Sequence, residues 1–256
     1  MIDARAIVSS GARIDDDVTV GPWCVIEGEV EIGAGTVLGS HVVIKGPTTI
    51  GRGNRIHPFC VIGGDPQDKK YGGEATRLEI GEGNTIREHT TINRGTVQGG
   101  AVTRLGDDNW IMANVHIAHD CSVGNHTVFA NNSALAGHVA IEDHVILGGY
   151  AGVHQFCRVG AYSFAAIAAV IVKDVPPYMI VAGNTATARA LNREGLKRHG
   201  FSARTIETLK RAYKILYRQN LTVADALLEL KDLAAESEEV QRLVDFVAAS
   251  ERGVVR

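Results

Sequence analysis

A register of six residues constrains this chain more than any other feature. From Leu105 to Ile171 every sixth position is apolar: Leu105, Ile111, Ile117, Val123, Phe129, Leu135, Ile141, Leu147, Val153, Val159, Ala165 and Ile171. The amino-terminal part keeps the same beat through Ile2, Val8, Ile14, Val20, Ile26, Ile32, Leu38, Ile44, Ile50, Ile56 and Ile62. A period of 3.6 would specify a helix and a period of 2 an ordinary strand, whereas a period of six specifies a solenoid of short strands, a parallel β-helix. If the large apolar residue is position i, then i+4 carries small or β-branched residues such as Val18, Cys24, Val30, Val115, Cys121 and Thr127. Both positions are predicted to point inward, the large ones filling the centre of a narrow prism and the small ones its corners. All four cysteines (Cys24, Cys60, Cys121, Cys157) sit at i+4, which makes them packed thiols rather than reactive or metal-binding ones. Three hexads close a triangular turn, so coils stack as parallel strands about 4.8 Å apart.

Two stretches interrupt the register. "GGDPQDKKYGGEATRLE" follows Ile62, and "NRGTVQGGAVTR" follows Ile92, after which the beat resumes at Leu105, out of phase by one. Excursions of this length from a solenoid are expected to carry function. The register ends at "KDVPPY", where two prolines stop the strands. Beyond it, Ser202, Thr222 and Ser237 are placed to cap three amphipathic helices. The chain therefore divides into a β-helix over 1–188, with inserted loops near 63–79 and 93–104, and a helical domain over 189–256.

Charge is segregated along the chain. Residues 189–220 carry nine Lys or Arg against Glu194 and Glu207, residues 221–256 carry four against eight acidic residues, and the β-helix is acidic. The basic segment suits an anionic ligand or an acidic partner. A total of −3 excludes a dedicated nucleic-acid binder. No apolar run approaches the roughly 20 residues of a membrane span, and "MIDARAIVSSGARIDDD" lacks the regions of a signal peptide. A cytoplasmic protein without stable membrane insertion is expected.

Because inward positions are apolar, polar chemistry must lie on outward ones. His116, His119, His138 and His154 fall within 39 residues, with Asp120 beside His119 and Gln155 beside His154. Histidine is the side chain best suited to accept a proton near neutral pH, and a neighbouring carboxylate fixes its tautomer. From spacing alone, general base and metal ligand remain open for these residues.

The ordered motifs "NRGTVQGG", "HIAHDCSVGN", "LAGHV", "VHQFCRVGA", "DVPPY" and "NREGLKR" resemble the cytosolic UDP-N-acetylglucosamine O-acyltransferases that begin lipid A synthesis in Gram-negative bacteria. The resemblance covers the chain end to end. It implies a mainly β fold, a left-handed parallel β-helix of hexapeptide repeats with a C-terminal α-helical domain. It implies a homotrimer that transfers a (R)-3-hydroxyacyl group from acyl carrier protein to the sugar 3-hydroxyl, with no cofactor and no metal beyond the carrier's 4′-phosphopantetheine thioester. His119 would be the general base, Asp120 its support, and the Gly137 N–H would face the oxyanion. Gln67, Asp68, Lys70, His116, His138, His154 and Gln155 would line the sugar and acyl sites, and Asn192, Glu194 and Arg198 would reach the nucleotide.

Two positions depart from the family pattern. Ile167 stands where members using long acyl chains have glycine, at a position resembling their acyl-length ruler. It lies eight hexads beyond His119, a rise of about 13 Å at the strand spacing, which predicts an acyl chain of roughly ten carbons. Counting hexads also puts Ile167 and His119 on different faces, so they share a groove only across a subunit boundary. His199 stands where better-known members have a second arginine. The competing readings are an N-acyltransferase acting on a 3-amino sugar nucleotide or a glucosamine amine, and, more remotely, a zinc carbonic anhydrase of the same fold.

Overall fold

A computed structural model describes all 256 residues. Each hexad forms a short strand and a turn, and strands of successive coils pair in parallel into the three faces of a prism, a left-handed β-helix. Face 1 has nine strands and starts at Ile7–Val8, face 2 has eight and starts at Arg13–Ile14, and face 3 has ten and starts at Thr19–Val20. The large residues stack in line, Ile26 on Ile44 and Ile117 on Leu135. Past Ile14 every large register position is buried, while Ile2, Val8 and Ile14 cap the open first coil and stay partly exposed. The four cysteines are buried and reduced, and burial pushes the thiols of Cys60 and Cys121 up to about 12, which makes them inert.

A further register, at i+3, governs the turns. From Asn114 to Ala168 each sixth residue takes a left-handed backbone, with φ between 55° and 64°. Apart from glycine, only Asn and Asp adopt it at low cost, and other residues lose roughly 1–2 kcal/mol. With 18 residues per coil these positions form columns. Asp120, His138 and Phe156 stand on the corner between faces 1 and 2, and His126, His144 and Tyr162 on the corner between faces 2 and 3. Their rings stack, His138 on Phe156 at 4.4 Å and His144 on Tyr162 at 4.6 Å between centroids. Such pairs contribute about 0.5–1.5 kcal/mol, which offsets much of the turn cost.

Both interruptions leave from one corner. The first joins Val61–Gly64 on face 1 to Arg77–Ile80 on face 2, and the second joins Thr91–Asn93 on face 1 to Val102–Leu105 on face 2. The loops are thus shorter than the expected 63–79 and 93–104. The flanking residues continue the ladders, Arg77 pairing with Val102 and Leu78 with Thr48 and Thr103. The one-residue phase slip is absorbed within the loop, since Leu105 pairs in register with Ile80.

The prism's outer faces differ in polarity. Face 2 shows Arg13, Glu31, Glu79 and Arg104, joined by Arg13–Glu31 and Glu79–Arg104 ion pairs. Face 1 shows Val25, Val43 and Val61, then Thr91, His116, Ala134, Gly152 and Val170. Face 3 shows Trp110, Val128, Ile146, Phe164 and Ile180 in one apolar column.

Four helices end the chain: α1 (Arg193–Arg198), α2 (Ala203–Arg218), α3 (Val223–Ala235) and α4 (Glu238–Ala248). Ser202, Thr222 and Ser237 cap α2, α3 and α4 through side-chain oxygens, as the sequence predicts. The expected boundary at 188/189 falls inside a strand, Thr187–Leu191, which turns back antiparallel on Met179–Ala182. Backbone pairing extends the sheet past the prolines, so the helices begin only at Arg193. α4 lies on face 2, where Arg242 pairs with Glu142 and Arg158 packs on the Phe246 ring.

The corner between faces 2 and 3 also contains a polar ladder inside the prism. Asn54 Oδ1 accepts from the Asn84 N–H and side-chain amide, Asn84 Oδ1 from the Asn109 N–H, and Asn109 Oδ1 from the Thr127 N–H and hydroxyl, at 2.6–3.0 Å. A buried donor left unpaired costs about 1–3 kcal/mol. Asn84→Ala strips partners from both Asn54 and Asn109 and is expected to destabilise the chain by about 2–4 kcal/mol, read as a lowered denaturant midpoint.

Candidate active site

The corner between faces 1 and 2 gathers the chemistry. Coil stacking places residues 18 apart directly above one another, so His119, Gly137 and Gln155 form one column and Asp120, His138 and Phe156 the next. The two loops leave from the coils just below. Gln67, Asp68, Lys69 and Lys70 from the first loop and Gln98 from the second meet Ala118, His119, His138, Gln155 and Phe156 around a cleft of about 690 Å³.

At its floor, His119 Nδ1 lies 2.8 Å from Asp120 Oδ2. An ionised carboxylate only accepts, so this contact puts the proton on Nδ1 and the lone pair on Nε2. Nε2 has no protein partner and borders the cleft. Asp120 is fully enclosed, its side chain 0% exposed against 14% for His119. His138 Nε2 stands 3.6 Å from the same Asp120 oxygen, with its ring edge-on to His119. Burial holds His138 below the ordinary imidazole range, and the charge of His119 acts the same way against the opposing pull of Asp120. His116 is likewise held down, first by burial and then by His119, while its Nδ1 meets the Thr91 hydroxyl at 2.7 Å. Held down in this way, His116 and His138 compete less with His119 for the Asp120 carboxylate.

Gly137 is required by contact. A Cβ there would lie 2.5 Å from His119 Cε1 and 2.8 Å from Nε2, so only glycine lets the upper coil close on the imidazole. The Gly137 N–H donates to no protein acceptor.

The remaining expected residues divide. Gln67, Asp68, Lys70, His119, His138 and Gln155 line one cleft, with Asp120 beneath. His154 does not line it and meets Arg252 at 3.3 Å. Ile167 lies at the corner between faces 3 and 1, 74% exposed. Asn192, Glu194 and Arg198 belong to α1, over the corner between faces 2 and 3. There the Asn192 side chain caps Gly195 and donates to the Tyr162 carbonyl at 2.8 Å. Glu194 pairs with Lys197, and Arg198 is exposed without an ion pair. His199 packs its ring against His144 and Tyr162, at 4.6 and 5.2 Å, so α1 is pinned to that corner column.

Several residues of the site gave no sequence signal of their own. Arg94, buried, donates to the Gly63 carbonyl and pairs with Asp65, binding one loop to the other. Thr96 and Thr103 hold Asp120, and Gly99 packs so closely that a Cβ would meet its carboxyl group. Thr96 and Gly99 lie within the quoted "NRGTVQGG", but nothing in the six-residue register points to them. His119, Asp120 and His138 offer ligand atoms within 4.8 Å of one another, a possible three-ligand set for a divalent ion. The contact between His119 Nδ1 and Asp120 Oδ2 is also the geometry of an acid–base pair, in which the carboxylate orients the imidazole.

Comparison with known proteins shows the family. Residues 174–255 match the family model for UDP-N-acetylglucosamine O-acyltransferase, domain 2, and residues 11–46, 29–64 and 103–137 match bacterial transferase hexapeptide repeats. The acyl-[acyl-carrier-protein]–UDP-N-acetylglucosamine O-acyltransferase of Thiobacillus denitrificans is 56% identical over 255 residues, covering 100% of this chain and 99% of that protein. Among solved structures, LpxA of Acinetobacter baumannii is 49% identical with a TM-score of 0.97, covering 100% and 99% of the two chains. The Francisella novicida UDP-N-acetylglucosamine acyltransferase is 43% identical with a TM-score of 0.98, covering 100% and 94%. The chain is an acyltransferase and belongs to the acyl-[acyl-carrier-protein]–UDP-N-acetylglucosamine O-acyltransferase family.

Proposed function

We propose that this chain transfers a (R)-3-hydroxyacyl group from acyl carrier protein to the 3-hydroxyl of UDP-N-acetylglucosamine in the cytoplasm, the first step of lipid A synthesis, with His119 as general base. The observation that carries this reading is the His119–Asp120 contact, which leaves Nε2 free toward a cleft lined by polar loop residues. Nε2 takes the proton as the sugar oxygen attacks the thioester carbonyl, and Asp120 stabilises the imidazolium that forms. The new C–O bond replaces the C–S bond, and the imidazolium returns its proton to the departing thiolate. The unpaired Gly137 N–H, beside His119, is suited to the oxyanion of the tetrahedral intermediate. The thioester brings the acyl group already activated, so the reaction needs no cofactor or metal.

The polarity of the prism's faces supports a homotrimer. Faces 1 and 3 carry the apolar columns, and face 2 is charged and partly covered by α4. Packing face 1 of one chain against face 3 of the next closes a ring of three around the 3–1 corners. Each His119 corner then lies beside the neighbour's corner between faces 2 and 3, where α1 presents Arg198. Arg198 and Glu194 would thus reach the nucleotide of a site whose base belongs to another chain, Arg198 by charge-assisted contact with phosphate. Asn192 would contribute by fixing α1. The neighbour's Ile167 would stand in the same crevice and end it.

Two outcomes are expected in an acyl-transfer assay with UDP-N-acetylglucosamine and carrier-protein thioesters. His119→Ala lowers turnover by about 100- to 10,000-fold with an unchanged melting temperature, and an unaffected rate would remove the general base from the account. Ten-carbon chains outperform fourteen-carbon chains, and Ile167→Gly, by opening the end of the groove, shifts the preference to longer ones. A wild-type preference for fourteen carbons would show that Ile167 is no ruler.

A further inference from the structure

We propose that Thr96, on the second inserted loop, is a positioning residue that sets the proton affinity of His119 through Asp120; the proposal rests on the acyl-transfer reading above. Thr96 is almost wholly buried. Its N–H donates to Asp120 Oδ1 at 2.8 Å and its hydroxyl to Asp120 Oδ2 at 2.6 Å. The second oxygen is the one that faces His119 Nδ1 at 2.8 Å and His138 Nε2 at 3.6 Å. The Thr96 hydroxyl and the His119 imidazole therefore compete for the lone pairs of a single atom.

The competition has a direction. Each donor to a carboxylate disperses its charge and weakens its pull on the next. With Thr96 in place, Asp120 is a moderated acceptor, which orients His119 while pulling less on its ring proton. The loop is built to keep the hydroxyl there. The Asp120 N–H donates to the Thr103 hydroxyl at 2.8 Å, and the Gly99 and Ala101 N–H groups both close back on the Thr96 carbonyl. Gly99 lies against the Asp120 carboxyl group with no room for a Cβ. Arg94, two residues earlier, clasps the loop that carries Gln67, Asp68 and Lys70. Substrate-lining loop and base are thus mechanically joined through residues 94–99.

The test compares Thr96→Val, which keeps the shape and loses the hydroxyl, with Thr96→Ser, which keeps the hydroxyl. Two quantities are followed: the acid limb of kcat/KM against pH, and the His119 ring titration by NMR. In Thr96→Val the limb and the titration both move to higher pH, by about one unit, while Thr96→Ser retains the wild-type values. An unshifted His119 titration in folded Thr96→Val, or equal shifts in both variants, overturns the proposal. The NMR titration decides even if Thr96→Val is too slow to assay. Wild-type protein without acyl transfer to the sugar nucleotide would instead overturn the underlying reading.

Discussion

The structure depends on the stacking of one coil upon the next. Parallel pairing between strands 18 residues apart satisfies the backbone groups of each coil only through its neighbours, so no coil is stable by itself. The same pairing aligns side chains in columns. Inside, those columns are Ile, Leu and Val with cysteines and asparagines at the corners. On the outside of one corner the alignment puts Gly137 over His119 and His138 over Asp120. The site is thus a local reading of the stacking rule, with two loops added from the coils below.

Its chemistry follows from unequal burial. Asp120 is fully enclosed, its oxygens are met by donors from Thr96 and His119, and His138 Nε2 stands 3.6 Å away. A charge in that position is tolerable only when so paired. Burial holds His116 and His138 below the ordinary imidazole range, and His119, with one nitrogen committed to Asp120, presents the other to the cleft.

The interior was legible in the sequence because burial selects residue type position by position: large apolar at i, small at i+4. The turn register at i+3 was not. Asn, Asp, His, Tyr, Phe and Ala occupy it in turn, sharing a backbone angle rather than a chemistry. Arg94 and Thr96 escaped because their partners lie outside the repeat, in another loop or on the next coil. Asn192 illustrates a different limit. Its type suits a ligand, but its side chain is committed to the cap of α1 and the Tyr162 carbonyl. His199 departs from the family pattern and still has work to do, stacking on His144 and Tyr162 to seat α1. The corner separation of His119, Ile167 and Arg198 was readable by counting hexads only for the first two, because α1 lies beyond the register.

That separation is the centre of the proposed function, in which one chain does not hold a whole site. Mixing His119→Ala chains with Arg198→Ala chains, by co-expression or by refolding together, tests it most directly. Each mixed trimer then contains one interface that pairs an intact His119 with an intact Arg198 of the neighbour. At equal mixing, acyl transfer with the sugar nucleotide well below saturation should recover to about a quarter of wild type, far above either variant alone. A mixture no more active than the average of the two variants would mean that each site is built from a single chain.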